Sequence, residues 1–164
     1  MLRVDIERAL TADAGEILTV QRAAYVSEAQ LYGDPFIPPL VESVEQVRKA
    51  VEGGIVLKAV DAGRIIGAVR GRPSGTTCLV GRLVVAPDRQ GHGLGTALLG
   101  ALHEQMPAAT TFDLFTGHLS AGNLRLYRRL GYRETHRERM DEHLTLVHLR
   151  REQIPALPPH APRG

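Results

Sequence analysis

The stretch Val84–Gly100, VVAPDRQGHGLGTALLG, constrains the fold more than any other part of the chain. An apolar run reaches a proline, passes through Gly91, Gly93 and Gly95, and resumes with apolar residues at a new spacing. Leu94, Ala97, Leu98, Ala101 and Leu102 recur as one helix face does, so Gly93 to Met106 is read as a helix that Pro107 ends. A strand from about Thr77 to Ala86 feeds the glycines, and Thr111 to Thr116 has the composition of the next strand. Strand, helix and strand in that order form a crossover unit whose two strands run parallel.

The remaining elements follow from local signals. Val4 to Leu10 reads as an opening strand, and Thr11 caps a helix from about Ala12 to Tyr25. The segment to Leu40 carries Gly33, Pro35, Pro38 and Pro39, which suggests a short helix and then an irregular loop. Ser43 and Gln46 fit a capping box that opens a helix ending near Gly53 and Gly54. Ile55 to Val60 and Ile65 to Arg72 are strands, with turns at Asp61-Ala62-Gly63 and at Pro73 to Thr76. Ser120 to Leu130 is a short helix with Gly131 as its C-cap, and Tyr132 to Met140 pairs with Leu144 to Arg150 as a closing hairpin. The order β-α-α-β-β-β-α-β-α-β-β indicates one α/β domain over residues 1–154. The segment 155–164, PALPPHAPRG, reads as a loose, disordered tail.

Composition narrows the function classes. The 164 residues are enough for one hydrophobic core, and no run approaches the roughly 18 apolar residues of a membrane span. No membrane partner is expected, and without an export-like N-terminus the expected location is cytoplasmic. One cysteine, Cys78, admits no internal disulfide, and its place on a strand suggests a buried thiol. Seven histidines lack the short helical spacing of metal ligands, so no metal is expected. Eighteen arginines against two lysines leave a net charge of only +2, and the arginine cluster from Arg125 to Arg139 reads as a solvated face. No nucleic-acid partner is expected.

The glycine turn has two readings on its own. It is either a tight strand-to-helix connection or an anion site, because a helix start leaves N–H groups unpaired at the positive end of the dipole. Glycines let phosphate oxygens approach those donors. A P-loop needs a lysine after the last glycine, and Gly95 is followed by Thr96 and Ala97. The dinucleotide fingerprint needs G-x-G-x-x-G, and the spacing here is G-x-G-x-G.

The spacing present is Q-x-x-G-x-G, in Gln90-Gly91-His92-Gly93-Leu94-Gly95. With RLVVAPDRQGHGLGTALL around it and SAGNLRLYRRLGY at Ser120 to Tyr132, the chain resembles the GNAT acetyltransferase superfamily. The resemblance is sharp from about Leu79 to Tyr132. It implies an α/β fold in which a GNAT-like mixed sheet, flanked by helices, holds a splayed parallel strand pair. Acetyl-CoA would lie between those strands as a co-substrate.

Residue by residue, the resemblance implies that backbone groups of Leu83, Val84 and Val85 take the pantetheine arm. A backbone N–H near Leu83 or Val84 would also steady the tetrahedral oxyanion. Gly91, His92, Gly93, Leu94, Gly95 and Thr96 would hold the diphosphate. Tyr127 matches the tyrosine that protonates the departing thiolate, and Asn123 lies one helical turn before it. Relatives usually carry an asparagine seven residues before the tyrosine, where this chain has Ser120. Many also carry a strand glutamate as base, yet Thr76 to Ala86 holds no carboxylate. His118 is therefore the first candidate base and Glu28 the second. Tyr25, Tyr32 and Phe36 could form an aromatic wall for the acceptor, with Glu28 and Asp34 attracting a cationic amine, or could close a small apolar cluster. The implied reaction is direct acetyl transfer to a primary amine, small molecule or peptide, in a ternary complex. A homodimer is compatible. The alternative is a module that binds acyl-CoA without turning it over.

Overall fold

The computed structural model describes residues 4–154, so the proline-rich tail lies outside the described residues. One seven-stranded sheet, ordered β1-β2-β3-β4-β5-β7-β6, organises them. Its strands are β1 (Asp5–Arg8), β2 (Ile55–Asp61), β3 (Arg64–Ser74), β4 (Thr77–Val85), β5 (Thr111–Gly117), β6 (Arg133–Arg139) and β7 (Thr145–Glu152). The helices are α1 (Ala14–Tyr32), α2 (Pro38–Val41), α3 (Val44–Gly53), α4 (Leu94–Gln105) and α5 (Ala121–Arg129). Neighbouring strands pair antiparallel except β4 and β5, which are parallel as the crossover unit requires.

The core lies where helices cover the middle of the sheet. Ile65 to Val69 of β3 is buried without alternation, which requires cover on both faces. Helices α1 and α4 both pack on this strand. Leu98, Leu99 and Leu102 of α4 are fully buried, each worth about 2 kcal/mol in area removed from water. Burial of Cys78 pushes its thiol up to about 11, so it stays protonated and unreactive at neutral pH. At the other edge β6 is exposed along its whole length. Its sequence, RETHRER, blunts that edge with charge. The arginine cluster thus divides between this edge and α5.

Three local expectations need correction. Thr11 does not cap the first helix but lies in a 3-10 turn, Thr11–Asp13, and Asp13 is the residue that precedes α1. The first helix does not stop near Tyr25 but continues as α1 to Tyr32, ending at Gly33 with φ +65°. Tyr25, Glu28 and Tyr32, at helical intervals of three and four, therefore share one face of it. That face carries polar tips where an amphipathic pattern would carry plain hydrocarbon, which hid its periodicity. Pro73 is likewise not in a turn. It pairs with Cys78 in β3, and the turn sits at Gly75 and Thr76.

Candidate active site

Strands β4 and β5 stay paired over only three positions, from Thr77↔Thr111 to Leu79↔Asp113, and then separate. The cause is visible in the neighbouring ladder. Between the pairs Arg70↔Gly81 and Ala68↔Val84, β3 contributes Val69 while β4 contributes both Arg82 and Leu83. This is a β-bulge, and it turns β4 away from β5. Arg82 adopts φ +50°, a left-handed conformation rare outside glycine. Nothing in the sequence marked the bulge, because neither Arg82 nor Leu83 is a residue that favours it.

The opened gap holds two cavities. The larger, about 520 Å³, runs from Tyr25 and Glu28 along Leu83, Val84 and Val85 to the glycine turn. The smaller, about 280 Å³, lies between Tyr32, Arg82, Phe115 and Tyr127. Tyr25, Glu28, Leu83 and Asn123 line both, so they mark the junction.

At the far end of the larger cavity the α4 N-terminus is open. Gly93 is its N-cap with φ +81°, and no side chain caps the helix, so the N–H groups of the first turn remain available. A Cβ at Gly91 or Gly93 would meet nothing within 4 Å, so both glycines border free space. This is a place for a phosphate group held by backbone donors. Arg125 and Arg129 of α5 add positive charge to the same wall. The sequence reading had left both in a solvated face, although their four-residue interval places them together on the helix. Of the residues expected here, Gly91, Gly93, Leu94, Gly95 and Thr96 line the cavity. His92 is exposed and does not.

Tyr127 is buried and lines the smaller cavity. Burial, reinforced by Tyr25, Tyr132 and Glu28, pushes its hydroxyl well above the ordinary tyrosine range. The hydroxyl therefore stays protonated at neutral pH. Asn123 lines both cavities, with Nδ2 donating to Thr116 Oγ1 at 3.4 Å.

The two candidate bases are placed differently. His118 Nδ1 accepts the Thr145 N–H at 3.0 Å, tying the ring to β7, and His118 lines neither cavity. Glu28 stands at the junction and accepts a hydrogen bond from Ser120 Oγ at 2.7 Å. Tyr32 OH lies 2.8 Å from Ser120 Oγ and accepts the Leu119 N–H at 3.0 Å. With that acceptance and Ser120 donating onward, the chain runs from Tyr32 through Ser120 to Glu28. Tyr25 and Tyr32 line the smaller cavity, whereas Phe36 is 75% exposed.

Glu42, which sequence reasoning missed, follows α2 and lines neither cavity, but it bonds Arg82, which lines the smaller one. It accepts from Arg70 at 2.7 and 3.1 Å, from Gln21 at 3.1 Å and from Arg82 at 3.4 Å. Burial opposes its ionisation, but those bonds and the two guanidinium charges hold its carboxyl below the ordinary range.

Comparison with known proteins agrees with this arrangement. A family described as acetyltransferase (GNAT) domain matches residues 52–134, just over half of the chain. The fold resembles the ribosomal-protein-S18-alanine N-acetyltransferase of Escherichia coli, with 18% identity and a TM-score of 0.78, covering 98% of this chain and 100% of that one. It also resembles the PaiA N-acetyltransferase of Thermoplasma acidophilum, solved in complex with coenzyme A. There the identity is 14% and the TM-score 0.75, covering 93% of this chain and 100% of that one. A curated sequence relative is the UPF0157 protein YqkA of Bacillus subtilis (strain 168), 29% identical over 121 residues and 74% of this chain. The matched part spans only 35% of that protein's length. The family match contains the bulged strand, the uncapped glycine turn and the tyrosine helix, and the chain belongs to the GNAT acetyltransferase family.

Proposed function

We propose that the protein is an N-acetyltransferase that moves acetyl from acetyl-CoA to a primary amine by direct attack. The observation that carries this reading is the meeting of two cavities at Glu28 and Asn123, one leading to the open α4 N-terminus and the other holding Tyr127. Acetyl-CoA fits the first: its diphosphate at Gly91 to Thr96 and its pantetheine arm along Leu83 to Val85. Its thioester then reaches the junction. The amine enters from the second.

A primary amine with a pKa of about 10.4 is largely protonated at neutral pH, so a base must take its proton. Glu28 is that base, directly or through one water, and the Ser120–Tyr32 chain fixes its orientation. The neutral nitrogen attacks the thioester carbonyl, a C–N bond forms, and the C–S bond then breaks. Tyr127 delivers its proton to the departing thiolate and recovers one from the proton the amine has released. The missing strand carboxylate leaves room for a binding-only module, and Glu28 on α1 supplies a carboxylate in its stead.

Initial rates of thiol release, measured against both acetyl-CoA and amine, test the proposal. Intersecting lines with an N-acetylated product support direct transfer. Parallel lines would require an acyl-enzyme, for which the buried Cys78 is unsuited. No product with any amine would return the binding-only reading.

A further inference from the structure

Arg82 holds a guanidinium nitrogen that is buried without a partner among the described residues. Its φ of +50° is strained, and such a conformation persists only where the surroundings impose it. The bulge that imposes it also sets the place of Arg82, which lines the smaller cavity and a neighbouring one of about 340 Å³ that Arg70 shares. There it reaches a carboxylate that is already taken. Arg70 grips both oxygens of Glu42, at 2.7 and 3.1 Å, while Arg82 Nη2 has a single bond of 3.4 Å to the same group.

The Nε of Arg82 is buried and has no hydrogen-bond partner among the described residues. A guanidinium offers five donors in a fork suited to a carboxylate, and here the buried Nε lacks a partner while Nη2 has only the long bond to Glu42, which is unfavourable in a largely covered place. Two guanidiniums sharing one carboxylate also leave the cluster one positive charge in excess. An anion is wanted there.

The rest of the cavity narrows what that anion belongs to. Glu28 lines the same cavity and supplies the opposite charge, beside the Tyr127 end where the amine must react. Ile37, Leu114, Phe115 and Leu146 make much of the remaining wall apolar. At about 280 Å³ the space is at the small end of ligand sites, and suits a compact acceptor rather than a long chain.

Resting on the acetyltransferase reading above, we infer that Arg82 pairs with a carboxylate of the acceptor, which makes the acceptor a small amino acid with an apolar side chain. Amine and carboxylate of one molecule then sit against Glu28 and Arg82. Arg82 selects the substrate and takes no part in the proton transfers.

The test compares leucine and phenylalanine with leucinamide, isopentylamine and phenethylamine as acceptors, with acetyl-CoA binding followed separately by calorimetry. The free amino acids are expected to exceed their uncharged counterparts in kcat/KM by on the order of 100-fold, the scale of a charged, two-pronged hydrogen bond. Arg82→Asn, whose side chain tolerates a left-handed backbone, is expected to bring that ratio near one by raising KM for the amino acids. Arg82→Lys keeps the charge but loses the fork and should recover part of the preference. Melting curves of both variants check that they fold. Equal turnover of charged and uncharged acceptors, an unchanged ratio in folded Arg82→Asn, or no turnover of either amino acid by protein that binds acetyl-CoA would each overturn the inference alone. Failure of the unaltered protein to bind acetyl-CoA would overturn both the inference and the reading beneath it.

Discussion

Ser120 Oγ donates a 2.7 Å hydrogen bond to Glu28 Oε2 across 92 positions of sequence, joining the start of α5 to the C-terminal part of α1. The bond places a carboxylate from the first helix at the point where the two cavities meet. Glu28→Gln keeps the shape of the side chain and removes its ability to take a proton. It is expected to lower kcat/KM by 10²- to 10⁴-fold, the usual worth of a positioned acid or base. Ser120→Ala should lower kcat about tenfold with little change in acetyl-CoA affinity, because the carboxylate loses its orienting donor. Ser120→Thr should restore the rate. Steady-state kinetics and calorimetry on the three variants read this out, and full activity in Glu28→Gln would remove Glu28 as the base.

Tyr127 is the complementary case. Its hydroxyl is held protonated by burial, as the proposed proton donation to the thiolate requires. Tyr127→Phe deletes one oxygen from a side chain that is 6% exposed, and should leave the packing against Tyr132 intact. The expected result is a fall in kcat of at least 100-fold with acetyl-CoA affinity changed less than about threefold. Unchanged turnover would mean that another group protonates the thiolate.

The glycine turn predicts a linked change in stability and binding. Gly93 has φ +81° and open space around it, so Gly93→Ala meets strain from the backbone alone, about 1–2 kcal/mol. The unaltered protein at acetyl-CoA of about 100 times Kd should gain roughly 2.7 kcal/mol, a rise of several degrees in Tm. Gly93→Ala should melt lower without ligand and gain less with it. Thermal melts with acetyl-CoA, and with ATP and NAD as controls, measure both effects. An equal rise for all three ligands would argue against a specific site.

Much of this was legible in the sequence because it depends on backbone. The capping box at Ser43 and Gln46, the glycine turn and the parallel crossover are set by short-range rules, and each forms where the local residues place it. The bulge at Arg82 and Leu83 was not legible, since it arises from register between β3 and β4 and not from residue type. The same holds for Glu42, and for the bond between Glu28 and Ser120, residues that the sequence marked only as the second candidate base and as a departure from the family pattern. Their meaning lies in contacts between segments far apart in the chain, and a helix face built of tyrosine and glutamate does not declare itself by hydropathy. Arg125 and Arg129 looked like surface charge because only the tertiary fold turns α5 toward the cleft.

His103 gives the fold a predictable acid sensitivity away from the site. The ring is 8% exposed, packs on Phe112, and its Nε2 lies 2.8 Å from Tyr132 OH. Burial, helped by the charge of Arg151, lowers its pKa from 6.5 to about 4. The unfolded chain therefore binds a proton between those two values that the folded chain refuses. The stabilisation is complete above about pH 6.5 and is lost as pH falls toward 4. A shift of this size corresponds to a loss on the order of 2–3 kcal/mol, or several degrees in Tm. His103→Gln carries no titrating group and can still hydrogen-bond to Tyr132, so it should melt lower at pH 7 but lose less between pH 7 and 4.5. Melting curves of the two proteins across that range decide the matter. Parallel declines would show that the acid sensitivity in this range resides in other groups, and not in Glu42, whose depressed pKa places its own loss at lower pH.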